Sequence, residues 1–179
     1  MSSSLELWLV RHGQTTANAG GIISGWLDVP LTDLGEAQAR FAARHLAGLD
    51  FDGVWSSDLA RALATARLAW GEPAADQRIR ELHFGELEGR HWGDLGADLE
   101  SALLEFKRFR APGGEDLSEL RERVLGFAGG LVPGRHLIFT HGGVIRLLTS
   151  DLGQDRFLQN GAVAVLDWTG RRLLHVFEP

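Results

Sequence analysis

Residues 5–13, Leu5-Glu6-Leu7-Trp8-Leu9-Val10-Arg11-His12-Gly13, join a largely apolar run to a polar, glycine-bearing segment. An apolar run bounded by glycine is typical of a buried strand, so Leu5 to Val10 is predicted to be the first strand of a sheet. In open α/β sheets, ligands bind beyond the carboxyl ends of the strands. This position favours a catalytic role for His12, with Arg11 supplying a fixed positive charge beside it.

Outward from this segment, strand and helix patterns alternate. Two more strands are each predicted to precede a helix. The strand Gly53 to Trp55 precedes a helix that is capped by Ser56-Ser57-Asp58 and runs to about Trp70. The strand His136 to Thr140 precedes a helix from Val144 to Leu152. Other predicted elements are helices at Thr32 to Leu49, Asp94 to Phe109 and Leu117 to Phe127, and a closing hairpin of Ala162 to Trp168 and Arg172 to Phe177. This alternation predicts an α/β fold, a three-layer α/β/α sandwich with a mostly parallel mixed sheet.

Composition narrows the classes of function. The 179 residues are predicted to form one domain, residues 1–179, expected as a monomer or homodimer. The net charge of −6 argues against a nucleic-acid partner, which needs a basic face. No apolar stretch approaches the ~20 residues that span a bilayer and no basic leader opens the chain, so we expect no membrane partner and a cytoplasmic protein. The absence of cysteine excludes disulfides, a thiolate nucleophile and cysteine-bound zinc.

Three turns that follow predicted strands carry the residues suited to binding an anion: Arg11-His12-Gly13, Ser57-Asp58 with Arg61, and His141-Gly142-Gly143. We expect them to open on one edge of the sheet. Helix N-termini at such turns favour a bound anion, and two arginines with two imidazoles add to that effect. The glycine after each histidine, Gly13 and Gly142, is expected to let the backbone approach the oxyanion closely. The pattern predicts a phosphate pocket.

The motifs of the chain resemble, in order and at compatible spacing, those of the histidine phosphatase (phosphoglycerate-mutase-like) superfamily. The matching stretches cover nearly the whole chain, and they are Leu9-Val10-Arg11-His12-Gly13-Gln14-Thr15, Asn18, Gly25 with Asp28-Val29-Pro30-Leu31-Thr32, Ser56-Ser57-Asp58-Leu59-Ala60-Arg61-Ala62 with Thr65-Ala66, Glu81-Leu82-His83-Phe84-Gly85 with Glu88-Gly89, Pro112-Gly113-Gly114-Glu115, and Thr140-His141-Gly142-Gly143. Within that superfamily, the chain resembles the phosphatase branch, which includes α-ribazole-phosphate phosphatases and broad phosphomonoesterases.

This resemblance implies a role for each of five residues. His12 is the expected nucleophile that becomes phosphohistidine, while Arg11, Arg61 and His141 bind the phosphoryl oxygens. Glu81 is the expected proton donor to the leaving group, and the same carboxylate would then activate water. The roles agree with physical chemistry, because neighbouring guanidinium groups keep an imidazole neutral and stabilise phosphoryl transfer without a metal. We expect no cofactor.

Other positions bear on the substrate. By the same resemblance Asn18 is a pocket amide, and Ser24, where the family commonly has Gln or Thr, is expected to bind the substrate. His83 and His91 flank the Glu81 segment and are expected to line the mouth of the site, with His83 binding the substrate. Ile22 stands where many members carry arginine, and Gly143 follows His141-Gly142 where mutases usually have asparagine. Because the mutase-type Tyr-Gly and paired Arg segments are also missing, the expected substrate is a small phosphomonoester that is hydrolysed, such as α-ribazole phosphate, a phosphosugar or a phosphoglycerate.

Several other interpretations can be weighed from the residues. A serine esterase would need a Gly-x-Ser-x-Gly elbow, and none occurs. A zinc site built from His12, His83, His91 and His141 matches no ligand spacing, and the arginines would repel the cation. A cofactor-dependent phosphoglycerate mutase and a non-catalytic phospholigand-binding module remain as alternatives. The presence of both His12 and Glu81 counts against the binding module, since binding needs neither a nucleophile nor an acid.

Overall fold

The computed structural model describes residues 4–106 and 109–179. Its sheet has six strands in the order β3-β2-β4-β1-β5-β6, namely β1 (Leu5–Arg11), β2 (Gly53–Ser56), β3 (Ala74–Ala75), β4 (Gly134–Thr140), β5 (Val163–Asp167) and β6 (Arg172–Phe177). The first four strands pair in parallel, whereas β5 and β6 are antiparallel to their neighbours. The predicted mostly parallel mixed sheet is confirmed.

The α-helices of the described ranges are α1 (Thr16–Ala19), α2 (Asp33–Leu46), α3 (Ala60–Ala69), α4 (Ala97–Glu105), α5 (Leu117–Gly129) and α6 (Gly142–Asp151). None of these helices is long and apolar enough to cross a bilayer. Short 3₁₀ turns lie at Gln77–Ile79, Gly85–Leu87 and Trp92–Asp94.

Two separate apolar cores explain why the sheet is covered on both faces. Leu7 and Leu9 of β1 pack into one core with residues of α5 and α6, while Val10 of β1 packs into the other with residues of α2 and α3. Successive side chains of a strand point to opposite faces, so a strand that is apolar throughout must be buried on both sides. The uninterrupted run Leu7 to Val10 therefore dictates three layers.

The register of the parallel strands determines where the functional turns meet. Arg11 at the end of β1 lies opposite Thr140 at the end of β4. Ser56 at the end of β2 pairs with Phe139, which also belongs to β4. All three carboxyl ends consequently lie along one sheet edge, as the sequence predicts.

Several element boundaries differ from the prediction. A single helix over Asp94 to Phe109 is wrong, because Asp94 ends a 3₁₀ turn and α4 begins only at Ala97, after Gly96. The helix stops at Glu105, since Phe106 has the left-handed φ of +50°. Phe109 is buried outside any helix, and the two residues before it lie outside the described ranges. Glycines 93 and 96 favour this interruption over a continuous helix.

The predicted cap of α3 is also wrong. The helix begins at Ala60 and has Leu59 as N-cap without a side-chain cap. The Asp58 carboxylate instead accepts hydrogen bonds from Arg80 at 2.6 and 2.5 Å. A carboxylate that pairs with a distant guanidinium is not available to the helix, and no local pattern reveals such a partner.

The remaining helix ends differ by a few residues. The helix α2 has Thr32 as its N-cap, whose side chain accepts from the Gly35 N–H, and it ends at Leu46 rather than at the predicted Leu49. Nearer the end of the chain, α6 begins at Gly142, two residues before the predicted start. Two short elements, α1 and β3, were not predicted, since four and two residues leave no periodic pattern to detect.

Candidate active site

His12 follows the last residue of β1, and its side chain is buried. Its Nδ1 lies 2.8 Å from the carbonyl oxygen of Gly13, and its Nε2 lies 3.3 Å from the Nε of Arg61. A carbonyl can only accept and a guanidinium can only donate, so the ring proton belongs on Nδ1. The lone pair of Nε2 is therefore left on the side of Arg61.

The surroundings of His12 favour the neutral ring. Burial, and after it the charges of Arg61 and Arg11, hold the pKa of His12 well below its ordinary value of 6.5. The sequence indicated only the guanidinium charges, but burial is the larger cause. A neutral imidazole whose Nε2 carries no proton is the form that can attack an electrophile.

Arg61, from the first turn of α3, is held by backbone carbonyls of the segment that follows Ser24. Its Nη2 donates to Gly25 O at 2.6 Å and its Nη1 to Leu27 O at 2.9 Å. Gly25 has a φ of +50°, and a Cβ there would lie 2.0 Å from Oε1 of Glu88. That oxygen also accepts from the Trp26 N–H at 2.9 Å, so the glycine lets Glu88 hold the loop that orients Arg61.

Arg11 is anchored at its other end by the segment before β5. It donates from Nη1 to the carbonyl oxygen of Leu158, and its Cζ lies 4.8 Å over the ring of Phe157. Burial lowers the pKa of Arg11 to about 10 although the charge of Glu81 opposes this, and the side chain remains a cation at neutral pH. Within the described ranges, its buried Nε has no hydrogen-bond partner.

The His141 ring meets His12 edge-on, with the ring centroids 5.2 Å apart. The residue is fully buried, and neither ring nitrogen finds a partner among the described residues. Burial, followed by the charge of Arg61, holds the pKa of His141 well below 6.5. An unpaired buried polar group costs about 1–3 kcal/mol, and two side chains with such groups, His141 and Arg11, lie next to His12. An oxyanion bound there would accept from the Nε–H of Arg11 and from the single N–H of a neutral His141 ring.

Glu81 is held by two backbone N–H groups. Its Oε1 accepts from Leu82 at 2.9 Å and its Oε2 accepts from Gly143 at 3.1 Å. A Cβ on Gly143 would lie 2.2 Å from Oε1, so a larger residue at this position would push the carboxyl group away. Glycine after His141-Gly142 therefore has a local structural reason in this chain.

The amide of Asn18 is oriented by three donors to its oxygen. Oδ1 accepts from the backbone and hydroxyl of Thr15 at 3.1 and 3.0 Å and from Nδ2 of Asn160 at 3.2 Å. Because these donors identify the oxygen, the other end of the amide is the NH₂ group. Asn18 lines the cavity described next, where it can donate to a ligand.

A cavity of about 480 Å³ joins these groups. The predicted site residues that line it are Arg11, His12, Asn18, Ser24, Arg61, Glu81 and Gly142. His141 is not among the residues that line the cavity, and its ring contacts that of His12. Among the described residues, no group of three or more His, Asp and Glu side chains is arranged to hold a metal ion.

The structure places two of the predicted substrate-binding residues away from the cavity lining. Gly13 donates its N–H to the hydroxyl of Thr65 at 3.0 Å, and a Cβ on it would lie 2.1 Å from Gly35 O. Its small size thus serves close packing against the start of α2 rather than approach to an oxyanion. The ring of His83 stacks on Trp26 with centroids 4.5 Å apart, and neither ring lines the cavity.

Gly142 lines the cavity as predicted, and its lack of a side chain also leaves space for a neighbouring side chain. A Cβ there would come within 3.2 Å of the Arg11 guanidinium carbon. The glycine therefore makes room for the Arg11 guanidinium.

One ion pair of the site has no counterpart in the sequence predictions. Arg123 of α5 donates to Glu115 at 2.7 and 2.8 Å, and it also donates to the carbonyl oxygens of Arg78, Arg80 and Glu81 at 2.9, 2.7 and 2.8 Å. Glu115 in turn accepts from the His83 N–H at 2.9 Å. The pair therefore fastens the backbone on both sides of the Glu81 carboxyl group. No local signal marks Arg123, since its partners come from distant parts of the chain.

We expect Arg123→Ala to lower the free energy of unfolding by about 2–4 kcal/mol, measured by urea denaturation. The substitution leaves the Glu115 carboxylate and three carbonyls without their donor, and the Arg123 and Glu115 side chains are each only 16% exposed. The matched control is Arg40→Ala, which removes an ion pair with Glu36 whose side chains are 58% and 47% exposed and should cost less than about 1 kcal/mol. Equal losses in the two variants would contradict the role given to Arg123.

The site combines a buried imidazole, two guanidinium groups and a carboxyl group at the carboxyl edge of an α/β sheet. This combination is typical of the class of proteins that bind phosphate and transfer phosphoryl groups. The chain belongs to the histidine phosphatase superfamily (branch 1), whose family model matches residues 7–176. The resemblance drawn from the motifs is thereby confirmed.

Individual relatives carry both phosphatase and mutase names. The chain is 36% identical over 160 residues to an adenosylcobalamin/alpha-ribazole phosphatase of Escherichia coli, covering 83% of this chain and 79% of that protein. It is 35% identical over 163 residues to a 2,3-bisphosphoglycerate-dependent phosphoglycerate mutase 2 of Gloeobacter violaceus, covering 82% and 74%. Among solved structures, a phosphoglycerate mutase from Thermus thermophilus aligns with a TM-score of 0.89 and 45% identity over 97% of this chain and 99% of that one. The fold assignment is confirmed by this match.

Proposed function

We propose that the protein hydrolyses small phosphomonoesters through a phosphohistidine formed on His12, without a metal or an organic cofactor. The observation that carries the proposal is the tautomer of His12: the proton on Nδ1 leaves the Nε2 lone pair beside Arg61. In the same buried site, Arg11 Nε and both ring nitrogens of His141 lack partners among the described residues. A module that only binds phosphate needs positive charge but gains nothing from a neutral, oriented nucleophile.

The first half-reaction follows from the positions of these groups. Arg11, Arg61, the His141 ring and the Asn18 amide hold the phosphoryl oxygens. Nε2 of His12 forms a bond to phosphorus as the bond from phosphorus to the ester oxygen breaks. Glu81 gives its proton to that oxygen, and the alcohol leaves.

The second half-reaction returns the enzyme to its starting state. The Glu81 carboxylate takes a proton from a water molecule, whose oxygen bonds to phosphorus while the bond from phosphorus to Nε2 breaks. Inorganic phosphate leaves, and Glu81 is again protonated. A mutase would instead return the phosphoryl group from His12 to a second hydroxyl, and the mutase names among the relatives keep that reaction as the second candidate.

The test is release of inorganic phosphate from a panel that includes α-ribazole phosphate, a phosphosugar and 3-phosphoglycerate. We expect hydrolysis of at least one ester, unchanged after dialysis against a chelator, because guanidinium groups stabilise the phosphoryl charge. Vanadate should inhibit, since it mimics five-coordinate phosphorus near the transition state.

Three results would contradict the proposal in different ways. A loss of activity on chelation that zinc or magnesium restores would assign the protein to a metal-dependent class. Interconversion of phosphoglycerates without net phosphate release would favour the mutase. Tight binding of esters with no turnover would favour the binding module.

A further inference from the structure

The mouth of the cavity over His12 is surrounded by large apolar side chains that are exposed to solvent. Leu104 and Phe157 are each 68% exposed and Trp92 is 40% exposed, and all three line this cavity. Single exposed apolar side chains are common on protein surfaces, but several of them around one cleft indicate a surface that a ligand covers.

The apolar surface continues inward to the phosphate-binding groups. The inner wall consists of Ile22, Ile23, Leu82, Phe84, Leu103 and Phe106. The Phe84 ring of this wall is held on two sides. It packs edge-on against Trp92, with ring centroids 6.4 Å apart, and in a tilted orientation against Phe109, with centroids 6.0 Å apart. A wall of braced rings and aliphatic chains offers a leaving group contact area but few hydrogen bonds.

The end of α4 shows backbone strain that serves this wall. Phe106 has a φ of +50°, a conformation that costs a residue with a side chain about 1–2 kcal/mol. Its ring lies 4.7 Å from the Cζ of Arg146 and lines the cavity. Strain of this kind is found where the surrounding structure holds a functional residue in place.

Within the described ranges, Arg146 is the one charged side chain of the lining apart from Arg11, Arg61 and Glu81. Its Nε and Nη2 donate to the Asp155 carboxylate at 2.6 and 2.8 Å, and Nη2 also donates to Leu104 O at 2.8 Å. An arginine that is already paired in this bidentate way secures the end of α4 and has little capacity left for a second anionic group on a substrate.

We infer that the preferred substrate is the monophosphate of a bulky apolar or aromatic alcohol that carries no second anionic group. The inference rests on the proposed function and specifies its substrate class. Leu104 is the specificity-determining residue assigned here: its side chain contacts the outer part of the leaving group, away from the reacting atoms.

The experiment compares kcat/KM for three primary alkyl esters, so that the intrinsic reactivity of the leaving groups is similar: naphthylmethyl phosphate, glycerol 3-phosphate and 3-phosphoglycerate. We expect naphthylmethyl phosphate to exceed glycerol 3-phosphate by roughly tenfold or more, and 3-phosphoglycerate to be the poorest. Leu104→Ala should reduce kcat/KM for naphthylmethyl phosphate roughly tenfold more than for glycerol 3-phosphate, while Leu104→Met should keep most of the preference.

The matched control is Leu34→Ala. Leu34 lies on α2, is 53% exposed and does not line the cavity, so its loss should leave all three values unchanged. A preference for 3-phosphoglycerate, or an equal effect of Leu104→Ala on naphthylmethyl phosphate and glycerol 3-phosphate, would overturn the inference while leaving phosphatase activity established. If none of the esters releases phosphate, the proposed function and this inference fail together.

Discussion

His12→Ala is expected to abolish turnover, with kcat reduced at least about 10³-fold, while the fold remains intact. The substitution removes the atom that forms the bond to phosphorus, so it deletes the covalent route instead of weakening a contact. The measurements are phosphate release and the thermal unfolding midpoint of the same preparation.

The covalent intermediate gives an independent readout of the same prediction. Wild-type protein quenched during turnover should carry one phosphoryl group that is labile in acid and stable in base, and the His12 variant should carry none. His175→Ala is the matched control, because His175 lies exposed on the edge strand β6 and should leave both readouts unchanged. If His12→Ala keeps more than a few per cent of the activity, the phosphohistidine mechanism is wrong.

Glu81→Gln is expected to slow hydrolysis of an alkyl phosphate by roughly 10²–10⁴, and that of a nitrophenyl phosphate much less. An alkoxide leaving group needs a proton as it departs, whereas a nitrophenolate is stable without one. The measurement is kcat for one ester of each kind with wild type and variant.

The contacts of Glu81 make the comparison between substrates necessary. Both of its oxygens accept backbone N–H groups, so the glutamine NH₂ group must face one of these donors and can displace the side chain. Displacement of that kind would slow both substrates alike, while loss of the acid affects the alkyl ester selectively. Glu86→Gln, an exposed carboxylate in the same segment, is the control for a change of charge. An equal loss on both substrates would exclude Glu81 as the acid.

Much of the site could be predicted because its residues belong to short segments at strand ends. The turn after β1 carries Arg11 and His12 together, and parallel pairing with β4 brings the His141 turn beside it. These positions follow from the alternation of apolar runs and helix patterns, which is a local property of the chain. The resemblance to a known family added the proposed role of Glu81, whose segment has no regular strand or long helix to mark it.

Other features depend on partners that lie far away in the chain. The sequence shows Pro112-Gly113-Gly114-Glu115 as a motif, but only the folded chain shows that Glu115 binds Arg123 and that together they hold the segment around Glu81. Likewise, Asp58 is of a residue type that often caps helices, yet its carboxylate pairs with Arg80. Local patterns cannot reveal these pairings, since a side chain that can satisfy the backbone nearby can equally bind a guanidinium from another element.

Consecutive residues were enough to predict the mostly parallel sheet, the edge at which the turns of the candidate site meet, and the imidazole and guanidinium groups that these turns bring together. Apolar periodicity and residue chemistry are local properties, so they are visible in the unfolded chain. Folding was needed to establish which nitrogen of His12 bears the proton, that Gly13 serves packing against Gly35, and that the mouth of the cavity is apolar. Each of these is set by the distance between atoms on different elements, and that distance exists only once both layers have packed on the sheet.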